Sequence, residues 1–169
     1  RNSAAAAILQ RRGFGGPLEI IPQFGVDLGN YTYAAPAETP TLRIGYAGRL
    51  WNGKGIDLLL NAVRDFEFPW TLTLAGAGEH EAELREQAAP LGERVIFRGS
   101  IVSRDMPAFF ASIDVLVLPS RSTPNWIEQF GRVLIEAMAS GVPVVGTRSG
   151  EIPNVIGGAN WRGGVRQPG

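Results

Sequence analysis

The chain contains no cysteine and a single histidine, His80, among its 169 residues. Disulfides, thiolate nucleophiles and thiolate metal sites are therefore excluded, and a reducing compartment is permitted. A two-histidine metal motif is excluded as well. There is no surplus of either charge: 16 Lys and Arg balance 16 Asp and Glu. Nucleic acids and acidic membranes both select a basic excess, so neither is an expected partner. Long apolar runs are also missing. Stretches such as IDVLVLP from Ile113 are strand-sized, far short of the ~20 residues that cross a bilayer. No signal peptide is visible. The chain does have 44% hydrophobic and 19% charged residues, ordinary values for a globular protein. Its length suffices for one domain with a sizeable core. It opens on an alanine-rich helical stretch, RNSAAAAILQRRG, without an initiator methionine, and stops in the glycine-rich WRGGVRQPG. Both ends read as cut, so a fragment of a longer protein is expected.

From about residue 42 the pattern alternates. LRIGYAG, WTLTLAG, RVIFRGS, DVLVLPS and VPVVGT read as strands. Between them GIDLLLNAVRDF places Ile56, Leu59, Leu60, Val63 and Phe66 at helical spacing. HEAELREQAAPL reads as an exposed helix, with His80 at its solvated start. RDMPAFFASI reads as a helix opened by Ser103 as N-cap, and RVLIEAMAS as one closed by Gly141. EIPNVI reads as a short last helix. Strands alternating with helices of about ten residues imply repeated βαβ units. The expected fold is α/β, a Rossmann-like doubly wound parallel sheet, in which ligands bind beyond the carboxyl ends of the strands. The loops that leave those strands are 48–55, 75–80, 98–103, 119–131 and 146–151. Residues 1–41 differ, reading as a helix, one strand and a linker with scattered prolines; Pro22 and Asp27 look like turn chemistry.

Three loops carry candidate chemistry. GRLWNGKG, residues 48–55, joins glycines to Arg49 and Lys54 at the start of a helix. The helix dipole disfavours cations there, and a bound phosphate removes the conflict. A solvated turn is the competing reading, and spacing alone leaves both open. The stretch is not a P-loop, because no Ser or Thr follows the lysine. AGAGEHE, residues 75–81, resembles the start of a dinucleotide fingerprint but lacks the third glycine, and Glu79 would face the pyrophosphate. The third stretch, EQFGRVLIE, begins and ends on glutamate. A helix starting near Gly131 puts Arg132, Glu136 and Ser140 on one face and turns Val133, Leu134, Ala137 and Met138 toward the sheet. That face is either a plain solvated stripe or, with the first-turn amides, an anion site flanked by the carboxylates of Glu128 and Glu136. Phosphate flanked by polyol is what a nucleotide sugar presents. Trp126, in the loop TPNWIE, either stacks on a sugar or anchors its loop. Arg148 and Glu151 read as a solvated loop.

GRLWNGKGIDLLLNA, LPSRSTPNWIEQFGRVLIEAMASGVPVVGT and SGEIPNVIG resemble the C-terminal half of retaining GT-B glycosyltransferases of the group 1, or family 4, class. RRGFGGPLEIIPQFGVDL resembles the segment that joins the family's two domains. The resemblance implies one half of a GT-B fold truncated at both ends, with residues 1–41 as interdomain segment and 42–169 as an incomplete nucleotide-sugar-binding domain. It implies that Gly48, Arg49 and Lys54 hold the donor diphosphate, the two cations stabilising the leaving group. Amides near Phe130, Gly131, Arg132 and Val133 would bind the same phosphates. Glu128 would contact the donor sugar, Glu136 the ribose, and backbone from Arg98 to Ile101 the base. Glu128, Arg49 and Lys54 are the implied catalytic residues. No metal and no cofactor is implied beyond the donor substrate, a UDP- or GDP-linked sugar. The implied partner is the chain's own N-terminal acceptor domain. The implied location is cytoplasmic, or membrane-peripheral in the full-length protein, with no membrane segment here. The fragment alone is expected to be inactive. Two departures stand out: the family commonly carries Gly where Gln129 stands, and the loop before Glu128 is longer than in the simplest members. A GT-B-fold sugar-nucleotide epimerase and a non-catalytic nucleotide-sugar-binding module are the alternative readings.

Overall fold

A computed structural model describes residues 3–19, 25–31 and 39–158. The strand expected early in the 15–40 segment, Pro22, and the glycine-rich end fall largely or wholly outside these residues. The alanine-rich start forms helix α1 (Ser3–Arg11), on which Ile8 and Leu9 are exposed. Asp27 closes an Asx turn, its carboxylate accepting from the Gly29 amide at 3.0 Å and the Asn30 side chain at 3.1 Å.

Five strands follow: β1 (Leu42–Ala47), β2 (Trp70–Ala75), β3 (Val95–Gly99), β4 (Val115–Leu118) and β5 (Val144–Gly146). They form one sheet in the order β3-β2-β1-β4-β5, with every pairing parallel. This is the expected doubly wound arrangement. The chain winds outward from β1 through β2 and β3, then returns to the other side of β1 for β4 and β5. The reversal lies between β1 and β4, which pair only at Ile44–Val115 and Gly45–Leu116. A crevice at the carboxyl ends of these two strands is where such sheets take ligands.

Helices α2 (Ile56–Arg64), α3 (Glu81–Ala88), α4 (Met106–Ala111), α5 (Arg132–Ala139) and α6 (Ile152–Gly158) connect and follow the strands. Of the apolar stripe read on α2, Ile56, Leu59, Leu60 and Val63 are in the core, whereas Phe66 lies beyond the helix and is only partly buried. On β2, Trp70, Leu72 and Leu74 are buried while Thr71 and Thr73 are only partly covered. Phe109 and Phe110 of α4 complete the centre. None of the helices among the described residues is long and apolar enough to cross a membrane.

Two local expectations are corrected. Ser103 is not an N-cap: it opens a 3-10 turn, Ser103–Asp105, and α4 starts only at Met106 after Asp105. The exposed helix ends at Ala88, because Pro90 begins a separate 3-10 stretch, Ala89–Arg94. His80 at its start is half-buried rather than solvated, and its Nδ1 is buried without a hydrogen-bond partner.

Candidate functional site

The loop after β1 is held from beneath. Tyr46 is fully buried, and its hydroxyl donates to the Arg49 carbonyl at 2.9 Å. Burial, and after it the charge of Glu128, pushes the Tyr46 phenol far above its ordinary pKa, so it remains a neutral donor. Beyond Arg49 the chain makes a 3-10 turn, Asn52–Lys54, before α2. The two cations of the loop are each on a carboxylate. The Arg49 guanidinium lies 3.0 Å from Glu79, an exposed pair. The backbone amide of Glu79 first, and Arg49 after it, hold that carboxyl below the usual range. Lys54 Nζ lies 2.6 Å from Glu128 Oε2, with both side chains largely covered. The conflict between cation and helix dipole read from sequence is thus relieved here by carboxylates.

Glu128 is 7% exposed although it precedes a helix in a loop. Beside Lys54, the same oxygen accepts from Ser120 Oγ at 2.9 Å. Its amide faces Ser149 Oγ at 3.5 Å and its carbonyl accepts from the Glu151 amide at 3.0 Å. Gly150 lies against the same backbone: with φ 52°, a Cβ there would stand 1.8 Å from the Glu128 carbonyl oxygen, so no side chain fits. Residues 149–151 therefore brace Glu128: of the loop expected to be solvated, Arg148 is exposed but Glu151 is buried, as is Ser149. Ser149 is 1% and Glu151 7% exposed.

Helix α5 begins at Arg132 after Gly131, which takes the left-handed conformation at φ 72°. The left-handed turn lets a buried loop enter the helix without a side chain. Of the four residues expected to turn toward the sheet, Leu134 and Ala137 bury fully, Met138 only partly, and the partly buried Val133 also lines the opening described below. The opposite face is not a plain solvated stripe. Arg132 is exposed and bonds Glu136 at 2.9 Å, but the Glu136 side chain is only 11% exposed. Ser140 is buried, its hydroxyl donating back to the Glu136 carbonyl at 3.0 Å, so it leaves the proposed stripe. Tyr31 reaches the same helix. Burial first, and then the charge of the Glu136 carboxylate, raises the Tyr31 phenol above its usual pKa.

Two openings flank this assembly. One, about 480 Å³, lies at the ends of β1 and β2 and is lined by Gly48, Arg49, Ile101, Arg132, Val133 and Glu136 among others. The second, about 500 Å³, is lined by Arg49, Trp51, Lys54, Glu79, Trp126, Glu128 and Gln129. Arg49 borders both. Of the candidates, Arg98 is exposed on β3 and lines neither opening; Ser100 and Ile101 just beyond the strand take that place. Phe130 and Gly131 shape the entry to α5 without lining either. Sequence reasoning missed Ser103 and Met106 on the wall, Tyr31 on α5, and the 149–151 brace. Only the Ser-Gly pair after a strand hinted at the last.

Residues 41–165 match the family described as Glycosyl transferases group 1. The chain belongs to that family. Among curated relatives it is 36% identical over 115 residues to a GDP-mannose-dependent alpha-(1-6)-phosphatidylinositol monomannoside mannosyltransferase of Mycolicibacterium smegmatis, covering 64% of this chain and 30% of that one. It is 30% identical over 148 residues to the monoacylated counterpart of Corynebacterium glutamicum, covering 78% and 39%. The chain therefore spans well under half the length of these relatives. Among solved structures, sucrose-phosphate synthase of Thermosynechococcus elongatus superposes with TM-score 0.69 at 29% identity, over 89% of this chain and 40% of that one. Anabaena HepE, solved with UDP and glucose, superposes with TM-score 0.64 at 29% identity, over 75% and 37%. A C-terminal domain of a group 1 glycosyl transferase from Francisella tularensis superposes with TM-score 0.60 at 27% identity, over 76% and 73%. The parallel sheet and flanking helices are thus those of one half of a GT-B glycosyltransferase.

Proposed function

We propose that the chain is the donor-binding half of a retaining glycosyltransferase that moves a hexose from a UDP- or GDP-linked sugar to an acceptor. The observation that carries this is the position of Arg49 on the shared border of the two openings. A diphosphate at Arg49 leaves its sugar in the opening with Lys54 and Glu128, and its nucleoside in the opening with Glu136, Ser100 and Ile101. The first-turn amides of α5 and the guanidinium of Arg132 complete an anion site. The names of the relatives point the same way: HepE was solved with UDP and glucose, and two mannosyltransferases depend on GDP-mannose.

In this reading Arg49 and Lys54 stabilise the charge that develops on the diphosphate as the sugar departs. Lys54 is already paired at 2.6 Å, so Glu128 fixes its position before substrate arrives. Phosphate then shares the ammonium rather than capturing a mobile side chain, which lowers the ordering cost. Glu128 keeps its second oxygen for a sugar hydroxyl. The two glutamates are too differently partnered for a hydrolytic dyad, Glu128 on Lys54 and Ser120 and Glu136 on Arg132. The acceptor would come from an N-terminal domain, and this chain without it would not turn over. The retaining outcome and a cytoplasmic location, membrane-peripheral in the full-length protein, are proposed on the family resemblance. NMR of the product anomer tests the first, and fractionation of cells the second.

Calorimetric titration of the full-length protein with UDP and GDP tests the diphosphate assignment. Lys54→Ala and Arg49→Ala should each weaken the preferred nucleotide by about 1–3 kcal/mol, the range for a lost charge-assisted contact. Glu136→Ala should weaken the nucleoside diphosphate as well, whereas Glu128→Ala should matter chiefly once the sugar is attached. Unchanged affinity in both cation variants would remove the diphosphate from this site.

A further inference from the structure

Two tryptophans stand apart from the core. Trp51 follows β1, and Trp126 closes a turn with Thr123 in which each amide donates to the other's carbonyl, at 2.7 and 3.3 Å. Neither belongs to the buried cluster around the sheet, and both are half-buried. Their rings nevertheless meet edge to face, with centroids 4.8 Å apart at 84°. Lys54 Nζ lies 5.2 Å from the Trp126 ring centroid. Gly53 lies against both indoles: a Cβ there would come within 2.4 Å of Trp51 and 3.0 Å of Trp126. A solvated turn requires none of this, and an indole left half-exposed forgoes much of the stabilisation its burial would bring. Both rings line the 500 Å³ opening together with Glu128, Lys54 and Gln129.

We propose that Trp51 and Trp126 form a stacking subsite for a pyranose ring at this end of the opening. A pyranose is amphipathic. Its C–H face is apolar and its hydroxyls point outward along the edge. The corner offers indole surface for the first, and a carboxylate, an ammonium and an amide for the second. Stacking supplies affinity for any such ring, while the hydroxyl contacts discriminate between sugars. The ring comes from one of two sources, the sugar carried by the donor or a carbohydrate acceptor. The donor source rests on the function proposed above; the acceptor source does not.

Calorimetry on the full-length protein separates these outcomes, using UDP with UDP-glucose, GDP with GDP-mannose, and the methyl α-glycosides of glucose and mannose with and without nucleotide. If the ring is the donor's, Trp51→Ala and Trp126→Ala weaken the nucleotide sugar about tenfold and leave the matching nucleoside diphosphate within about twofold. Trp126→Phe then restores most of the loss. If the ring is the acceptor's, the same variants weaken the methyl glycoside and spare the nucleotide sugar. The subsite is overturned if both alanine variants, shown by circular dichroism to be folded, leave both ligand classes unchanged. It is equally overturned if they weaken the nucleoside diphosphate as much as the nucleotide sugar, since the indoles then serve only Lys54. Wild-type protein that binds no nucleotide sinks the donor reading instead, and the glycoside arm alone then decides the corner; a wild type that binds neither overturns both.

Discussion

Tyr46 carries its weight through a single hydroxyl. The phenol sits at the bottom of the sheet's crevice with its ring wholly buried, and its one polar atom fixes the carbonyl of Arg49. Tyr46→Phe should therefore lower stability by about 0.5–1.5 kcal/mol, the net worth of one hydrogen bond, because the Trp51 amide still donates to the same carbonyl at 3.1 Å. Urea unfolding measures that loss. The same variant should also weaken nucleoside diphosphate binding, though less than Arg49→Ala, because the guanidinium remains but its backbone is less firmly placed. Neither effect should depend on pH near neutrality, since burial keeps the phenol protonated there. Lys54 and Glu128 show the same economy of contacts: one carboxylate oxygen receives both the ammonium and the Ser120 hydroxyl. Such a pair adds modestly to stability on its own account, but removing either partner strands the other.

At the scale of elements, the entry to α5 decides the site. Where most helices are preceded by an extended residue, α5 is preceded by Gly131 in the left-handed conformation at φ 72°. Gly131→Ala should destabilise the protein by about 1–2 kcal/mol, the penalty for placing a Cβ in that conformation. The midpoint of urea unfolding is the readout, and a change of less than a few tenths would mean that the turn relaxes. A steric part adds to this, because a new Cβ would stand 3.0 Å from Leu134 Cδ1 and 3.1 Å from Leu118 Cδ2, methyls of fully buried leucines that would have to give way. The 149–151 loop is the second deciding element. It reaches Glu128 only because β5 lies beside β4 in the sheet. The pairing of Leu118 with Gly146 sets both loops at the same level.

Across the whole molecule, one ion pair ties the first strand to the second half of the sheet. Arg43 on β1 and Asp114 ahead of β4 are joined by the guanidinium at 2.7 Å and by the Arg43 amide, also at 2.7 Å. The Arg43 side chain, by hydrogen bonding above all, holds the Asp114 carboxyl below the usual carboxylate range. A depressed folded-state pKa contributes stability that is complete above the unfolded value, about 3.9, and is lost as pH falls through the folded value. Asp114→Asn should thus cost about 1.5–3 kcal/mol near neutral pH and flatten the acid limb of a stability profile taken between about pH 3 and pH 7. An unaltered acid limb would show that other carboxylates govern it. The alternation of strand and helix, the core stripe of α2, the Arg49–Lys54 loop and the spacing of the two glutamates were all readable in the chain, because each depends on local periodicity or on neighbours within one loop. Partners were not. That Glu128 is buried on Lys54, that Glu79 occupies Arg49, that Ser149–Glu151 brace the loop before α5 and that Tyr31 meets Glu136 all join residues from separate elements. The sequence by itself determined which segments become strands, helices and polar loops. Only the tertiary structure, by setting β1 beside β4 and β4 beside β5, decided which of those loops face one another and hence which charges are paired.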